Sequence, residues 1–258
     1  MITLKTPAQS AKMREAGLVV AEMLEACRAA THPGVTTAEL DRIAADVLRR
    51  HGAKSSFLGY HGYPATICTS VNDEIVHGIP SPKRKLREGD IVGIDAGAIV
   101  DGWHADAAIT VPVGRISAQA EKLIAVTREA LVRGIAAATV GNRLGDIGAA
   151  IQELVEGQGY SVVRNYVGHG IGRAMHEDPQ IPNYRPVRGQ PNPPISEGLC
   201  IAIEPMVNIG GPGTRTLDDG WTVATADQSI SAHFEHSLAC TPAGPVVLTA
   251  PVGAAVPA

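Results

Sequence analysis

Gly89-Asp90-Ile91-Val92-Gly93-Ile94-Asp95-Ala96-Gly97, continuing through Ala98-Ile99-Val100 to Asp101-Gly102-Trp103-His104-Ala105-Asp106, is the stretch from which the fold is read. Asp101-Gly102 between two apolar runs is a strong signal for a two-residue hairpin loop. With those residues as the loop, Val100 faces Trp103, and Asp95 lies opposite Ala108, two places along from Asp106. Both carboxylates then leave the same face of the hairpin. Their Cα atoms are diagonal neighbours about 7–8 Å apart, a reach from which two side chains converge on ions between them. A solvated outer face carrying acids has the same pattern, so the hairpin alone leaves both readings open.

The strand recurs. Arg87-Glu88-Gly89-Asp90-Ile91-Val92-Gly93-Ile94-Asp95 aligns with Ser196-Glu197-Gly198-Leu199-Cys200-Ile201-Ala202-Ile203-Glu204, which sets Asp95 on Glu204. A further strand signal from Ser229 to Leu238 carries Glu235 as the hairpin carries Asp106, so each half supplies one pair of acids. Between them, Tyr166-Val167-Gly168-His169-Gly170-Ile171-Gly172 offers a histidine among glycines.

The helices recur as well. From Pro7 to about Ala30, Met13, Val20, Met23, Leu24 and Cys27 are spaced as on one helix face, and Thr31-His32-Pro33-Gly34 ends the run. Thr37 reads as the N-cap of a second helix, whose stripe of Leu40, Ile43, Ala44, Val47 and Leu48 ends at Gly52. Leu24 returns as Leu131, Gly34 as Gly141, Leu40 as Ile147, Val47 as Leu154 and Gly52 as Gly159. A unit of helix, turn, helix and strands is therefore present twice. Two copies are too few for a solenoid. The expectation is one domain over residues 1–258 with pseudo-symmetric halves, about 1–115 and 116–250, and a site on the axis between them. The segment from Asp178 to Ser196 is rich in Pro, Asn and Arg and reads as loop, and 251–258 reads as a loose tail.

Composition excludes several classes. A chain of 258 residues buries a sizeable core, and a net charge of −4 argues against general affinity for nucleic acid or an acidic membrane. The basic run Lys83-Arg84-Lys85-Leu86-Arg87 precedes a strand and reads as a solvated loop. Cys27, Cys68, Cys200 and Cys240 form no C-x-x-C pair, so reduced thiols in the cytoplasm are expected. No apolar stretch approaches the roughly 18 residues of a membrane span, and the N-terminus lacks the core of an export signal.

Four carboxylates in an apolar setting need positive charge, since two unit charges 4 Å apart repel by about 4 kcal/mol at an effective dielectric of 20. The strands that carry them offer no Lys or Arg at matching positions. Two divalent cations would balance Asp95, Asp106, Glu204 and Glu235, with His169 as a neutral fifth ligand. Such two-metal sites serve hydrolysis, and an oxygen-rich set with one imidazole suits Mn, Fe, Co or Zn.

The order Asp95, Asp106, His169, Glu204, Glu235, together with Gly59-Tyr60-His61-Gly62-Tyr63-Pro64, His77-Gly78-Ile79-Pro80, His176-Glu177-Asp178-Pro179, Ile203-Glu204-Pro205-Met206 and Phe234-Glu235-His236, closely resembles type I methionine aminopeptidase. The resemblance runs from about Lys5 to Leu248. It implies an α/β (α+β) pita-bread fold with pseudo-twofold symmetry, antiparallel sheets covered by helices, and a dinuclear centre on those five ligands. It further implies removal of the initiator methionine from nascent polypeptide N-termini when the second residue is small, by a metal-bridging hydroxide. Glu204 matches the family's general base and proton shuttle, and His77 and His176 match the histidines that contact the scissile peptide. The side-chain pocket carries over to Phe57, Tyr60, Tyr63, Cys68, Met175 and Trp221.

Four positions depart from the family pattern: Phe57 stands where Cys is frequent, Met175 where Phe is, and Ala96 and Gly97 follow Asp95 where Asp-Val-Thr is more usual. The expected form is a minimal bacterial-like monomer whose partners are nascent polypeptide N-termini, the ribosome being one place to meet them, and the charge and apolar runs noted above predict no nucleic-acid or membrane partner. Two rivals are a same-fold Xaa-Pro aminopeptidase or dipeptidase, which normally carries an extra N-terminal domain, and a metal-free binding protein of the same fold.

Overall fold

The computed structural model describes residues 1–187 and 189–251. The first half runs α1 (Pro7–Ala30), α2 (Thr37–His51), β1 (Lys54–Ser55), β2 (Ile67–Val71), β3 (Glu74–Val76), β4 (Ile91–Val100) and β5 (Trp103–Pro112). The second begins with α3 (Ala118–Ala137) and α4 (Leu144–Gly157), then β6 (Ser161–Val162), β7 (Gly168–Gly170), β8 (Glu177–Ile181) and β9 (Cys200–Ile203). It closes with β10 (Met206–Asn208), β11 (Thr214–Thr216), β12 (Val223–Thr225), β13 (Ser231–His233), β14 (Glu235–Thr241) and β15 (Gly244–Val247). Each half thus opens with a helix pair.

One large antiparallel sheet has the order β1-β4-β5-β14-β9-β7-β8, with β2 also paired to β4 and β15 to β14. The turn between β4 and β5 is the two-residue loop expected: Asp101 and Gly102 have φ of 49° and 74°, and Val100 pairs with Trp103. Smaller sheets, β13-β10-β6 and β11-β12-β3, flank the large one.

Side chains alternate across this sheet with period two, and that alternation separates core from site. Ile94, Ala96, Ala98, Ala105 and Ala107 pack with Val20, Met23, Leu24, Leu40 and Val47 of α1 and α2. Ile201, Ile203, Leu238 and Cys240 pack likewise with Leu131, Ile135, Ile147 and Ile151 of α3 and α4. Each large aliphatic side chain buried this way contributes about 1.5–3 kcal/mol. The intervening residues of the same strands, Asp95, Asp106 and Glu235, with Glu204 just past β9, point to the face the helices leave uncovered.

Three local expectations are corrected. The N-cap of α2 is Thr36, one residue earlier than Thr37. Thr36 is the position from which a capping box closes: its hydroxyl accepts the Glu39 N–H at 3.2 Å, and its own N–H donates to Glu39 Oε2 at 2.8 Å. The strand read over 229–238 is broken at Phe234, because β13 pairs with β10 whereas β14 joins β5 and β9 in the large sheet. The loop read from Asp178 begins as strand β8, paired to β7 through Gly168↔Ile181 and His169↔Gln180. Of the tail, 252–258 lie outside the described residues. The chain is held up to Ala250, which is buried, and the Thr249 hydroxyl accepts the Ser237 N–H at 3.2 Å.

Candidate active site

Register explains how acids from distant parts of the sequence meet. Directly paired residues of an antiparallel sheet share a face. One row across the sheet reads Asp95↔Ala108 and Ala108↔Glu235, and the His236↔Ile203 pair sets Glu204 next in line. The adjacent row reads Gly97↔Asp106, then Ser237↔Ala202 and Ala202↔His169. Asp106 is fastened to Ser237 by reciprocal bonds, its N–H donating to Oγ at 2.9 Å and its carbonyl accepting from Oγ at 2.7 Å. Two neighbouring rows on one face therefore carry Asp95, Asp106, His169, Glu204 and Glu235.

Asp106, His169 and Glu235 offer ligand atoms that all lie within 4.8 Å of one another. His169 Nε2 is also 3.8 Å from Glu204 Oε1 and 3.7 Å from Asp106 Oδ2. Asp95 sits close enough to Asp106 for the second carboxylate to help raise the first, after burial. The glycines beside His169 are needed for this approach, because a Cβ on Gly168 would stand 2.3 Å from the Ala202 carbonyl oxygen and one on Gly170 2.2 Å from that of Asp178.

Electrostatics then fix what the cluster lacks. His169 Nδ1 lies 2.8 Å from the Gly170 carbonyl, which can only accept, so Nδ1 carries the proton. Burial lowers the ring to about 4, so it is neutral and turns the Nε2 lone pair toward carboxylate oxygens. Two acceptors that face each other need a proton or a cation between them. Asp95 Oδ1, Asp106 Oδ1 and Glu235 Oε1 are buried without any hydrogen-bond partner. The ionic neighbours of Asp106 and Glu204 among the described residues are histidines, with no Lys or Arg. Orphaned acceptors, a lone-pair imidazole and no protein cation together fit divalent metal.

Burial first, and the neighbouring carboxylates second, push Asp95, Glu204 and Glu235 well above the ordinary carboxylate range, and burial raises Asp106 too. Without a cation these groups hold protons near neutrality, and metal must displace them. Metal uptake at neutral pH is therefore expected to release protons, and affinity is expected to fall as pH is lowered. Calorimetric titration of stripped protein with Mn²⁺ in two buffers of different ionisation enthalpy measures this. Identical heats in both would contradict the raised carboxylates.

The acids floor a cavity of about 240 Å³ whose walls are Phe57, Tyr60, Tyr63, Cys68, Met175 and Trp221, with His77 and His176 opening onto it. The sheet thus brings all the sequence-derived candidates into one space. Tyr63 is fixed by donating to the carbonyls of Ile67 and Gly78 at 3.1 and 3.0 Å, and its ring stands edge-on to Trp221. The Tyr60 hydroxyl lies 2.7 Å from His176 Nδ1, and the His176 ring lies 4.3 Å from that of His169. His77 adopts a left-handed backbone with φ 61°, a strained conformation for a residue with a Cβ. A larger cleft of about 590 Å³ lies between α1 and α3, lined by Leu24, Leu131 and Phe234, but the one acid on it, Glu25, is already paired to Arg28.

Two residues of the site were not read from the sequence. His61 lines the cavity from inside the Gly-Tyr-His-Gly-Tyr run, with φ 49°. His233 is buried, its Nε2 has no hydrogen-bond partner, and that atom stands 3.9 Å from Glu204 Oε2. Its place two residues before Glu235 is a faint signal, because the strand break at Phe234 cancels the alternation that would have flagged it.

Similarity to known proteins extends over nearly the whole chain. Residues 11–242 match the family model described as metallopeptidase family M24. A methionine aminopeptidase of Clostridium acetobutylicum is 51% identical over 250 residues, covering 96% of this chain and 99% of that protein. The crystal structure of a methionine aminopeptidase from Thermotoga maritima superposes with a TM-score of 0.94 at 42% identity, covering 97% of this chain and 100% of that one. An Xaa-Pro dipeptidase from Bacillus anthracis shares the fold, with a TM-score of 0.76 at 22% identity, and this chain spans 61% of its length.

Proposed function

Because the chain belongs to metallopeptidase family M24, among its methionine aminopeptidases, its reaction is removal of the N-terminal methionine, and we propose that the sheet-face cluster carries it out. Asp95, Asp106, His169, Glu204 and Glu235 would hold two divalent cations, drawn from Mn, Fe, Co or Zn, which would supply Lewis acidity at the scissile carbonyl and a water of nucleophilic strength near pH 7. The observation that carries this is the set of orphaned acceptors on Asp95, Asp106 and Glu235.

The remaining steps fall to the chain's own groups. Methionine's unbranched thioether enters the apolar walls of Tyr60, Tyr63, Cys68, Met175 and Trp221. The cavity of about 240 Å³ lies below the roughly 300–1,000 Å³ of pockets for drug-sized ligands, which suits one side chain and the peptide that follows. Glu204, buried beside His169 and His233, takes the proton of the attacking water and passes it to the leaving amine. Burial keeps His77 and His176 neutral, each lowered to about 4. In the tautomer that carries its proton on Nε2, His176 accepts from the Tyr60 hydroxyl at Nδ1 and is free to donate to the peptide. Small second residues are preferred, and the substrates are nascent chains in the cytoplasm.

The same-fold Xaa-Pro enzymes are not favoured, since their likeness extends to the fold alone. A free N-terminal amine is drawn to the acidic end of the cavity. We therefore expect Met-Ala-Ser to release methionine and its N-acetylated form to be inert, as followed by chromatography of free methionine and acetylmethionine. Equal turnover of the acetylated peptide would contradict the exopeptidase geometry.

A further inference from the structure

Resting on that reading of the pocket, we propose that Gly97 is a positioning residue for substrate selection: its missing side chain seats the Phe57 ring, and the ring's position limits the length of side chain the pocket admits. Gly97 lies inside the ten-residue strand β4, paired to the metal-ligand candidate Asp106. Glycine weakens a strand interior and there commonly marks the close approach of another group. The backbone of Gly97 does not demand glycine, since it is absent from the positive-φ residues. What demands it is space. A Cβ at Gly97 would stand 2.9 Å from Phe57 Cε1 and 2.8 Å from Ser56 Cβ, closer than real Cβ contacts come. Gly93, four residues earlier on the same strand, is different: its nearest neighbour would be 3.6 Å away, ordinary contact.

The approaching segment is pinned. Ser56 N–H donates to the Gly97 carbonyl at 3.0 Å, Ser56 Oγ bonds His104 Nδ1 at 3.0 Å, and the Phe57 N–H donates to Ser55 Oγ at 3.0 Å. The chain after β1 therefore folds over the sheet face at Gly97, beside the acids. Phe57 is 8% exposed, with one edge against Gly97 and the rest of its ring among Tyr63, Cys68 and Met175 on the cavity wall. A methyl group at Gly97 presses on Ser56 and on the edge of the Phe57 ring, and a ring that yields away from β4 moves into the cavity whose wall it forms. Removing the ring has the opposite effect and lengthens the pocket.

The test compares peptides X-Ala-Ser in which X is norvaline, methionine or ethionine, on Gly97→Ala, Phe57→Ala and the double variant, each loaded with Mn²⁺ and assayed for metal content. Wild type must cleave Met-Ala-Ser; if it does not, the functional reading fails and not this inference. In Gly97→Ala the KM ratio of methionine to norvaline peptide is expected to rise about tenfold with kcat for norvaline retained, a change on the scale of one methylene in an apolar pocket. Phe57→Ala is expected to gain about tenfold in kcat/KM for ethionine relative to methionine. In the Phe57→Ala background, adding Gly97→Ala should leave both ratios unchanged, because the ring that transmits the effect is gone. The same ratio change with and without Phe57, or equal losses on all three peptides, would overturn the proposal. Should Gly97→Ala alone fail to fold, a folded double variant upholds the ring as the obstacle and an unfolded one refutes it.

Discussion

His169→Ala is expected to lose its metal and its turnover together, whereas His176→Ala and His77→Ala keep metal and lose about 10²–10³ in kcat. The three rings share a cavity, and their hydrogen bonds set them apart. His169 differs because its Nδ1 proton is committed to the Gly170 carbonyl, which turns Nε2 toward Asp106 and Glu204 at 3.7 and 3.8 Å. Removing it takes a ligand from the middle of the cluster and leaves carboxylates with less charge compensation. His176 stands one ring further out, held through Nδ1 by Tyr60, and His77 faces Tyr166. Neither ring shares a hydrogen bond or ion pair with the acids among the described residues. Their proposed task is to donate to the peptide as its carbonyl becomes tetrahedral, and one such donor is worth about 2.7–4 kcal/mol. Metal stoichiometry beside steady-state kinetics on the three variants decides it. Loss of metal by His176→Ala as complete as by His169→Ala, or an unchanged kcat, would show the assignment to be wrong.

Glu204→Gln is expected to lower kcat by about 10²–10⁴-fold, the range of positioned proton transfer, while the fold is kept. The amide is nearly isosteric and preserves packing, but it has no basic oxygen with which to take a proton. Among the acids of the cluster, Glu204 faces a histidine nitrogen without a hydrogen-bond partner, His233 Nε2 at 3.9 Å. Its carbonyl is held by the Asn183 side chain, which donates at 2.9 Å and fixes the backbone just past β9. Assays at saturating Mn²⁺ with metal content measured in parallel separate proton transfer from ligation. A Glu204→Gln protein that binds metal and turns over within tenfold of wild type would remove Glu204 from the proton path.

How much of this was legible in the sequence depended on how local the information was. The β4–β5 hairpin was read to the residue, because Asp101-Gly102 sets the loop and period-two alternation sets the face. The helix pairs were legible from their 3.6-residue periodicity, and the start of α2 lies one place before Thr37 because it is Thr36 that has a glutamate three residues on. The junction of the two halves was not readable in the same way. Pairing of Ala108 with Glu235 joins residues far apart in the chain, and nothing local specifies it. The repeat hinted that Glu204 and Glu235 would join the first pair, but the row-by-row register that brings them together is a property of the folded sheet. His233 stayed hidden because its importance lies in an atom facing Glu204 across two sheets. Gly97 was visible as a departure from a family pattern, and only the proximity of Phe57 and Ser56 gives that departure a physical reason.

The most direct test of the cluster as a metal centre is turnover of Met-Ala-Ser against metal content measured on the same samples. Protein is stripped with a chelator, verified as metal-free by elemental analysis, and titrated with Mn²⁺ while bound ions per chain and free methionine are both counted. The expected result is no turnover without metal, recovery as metal binds, and loss of both binding and recovery in Asp106→Asn. Full turnover by protein verified as metal-free, or Asp106→Asn binding metal as tightly as wild type, would contradict it.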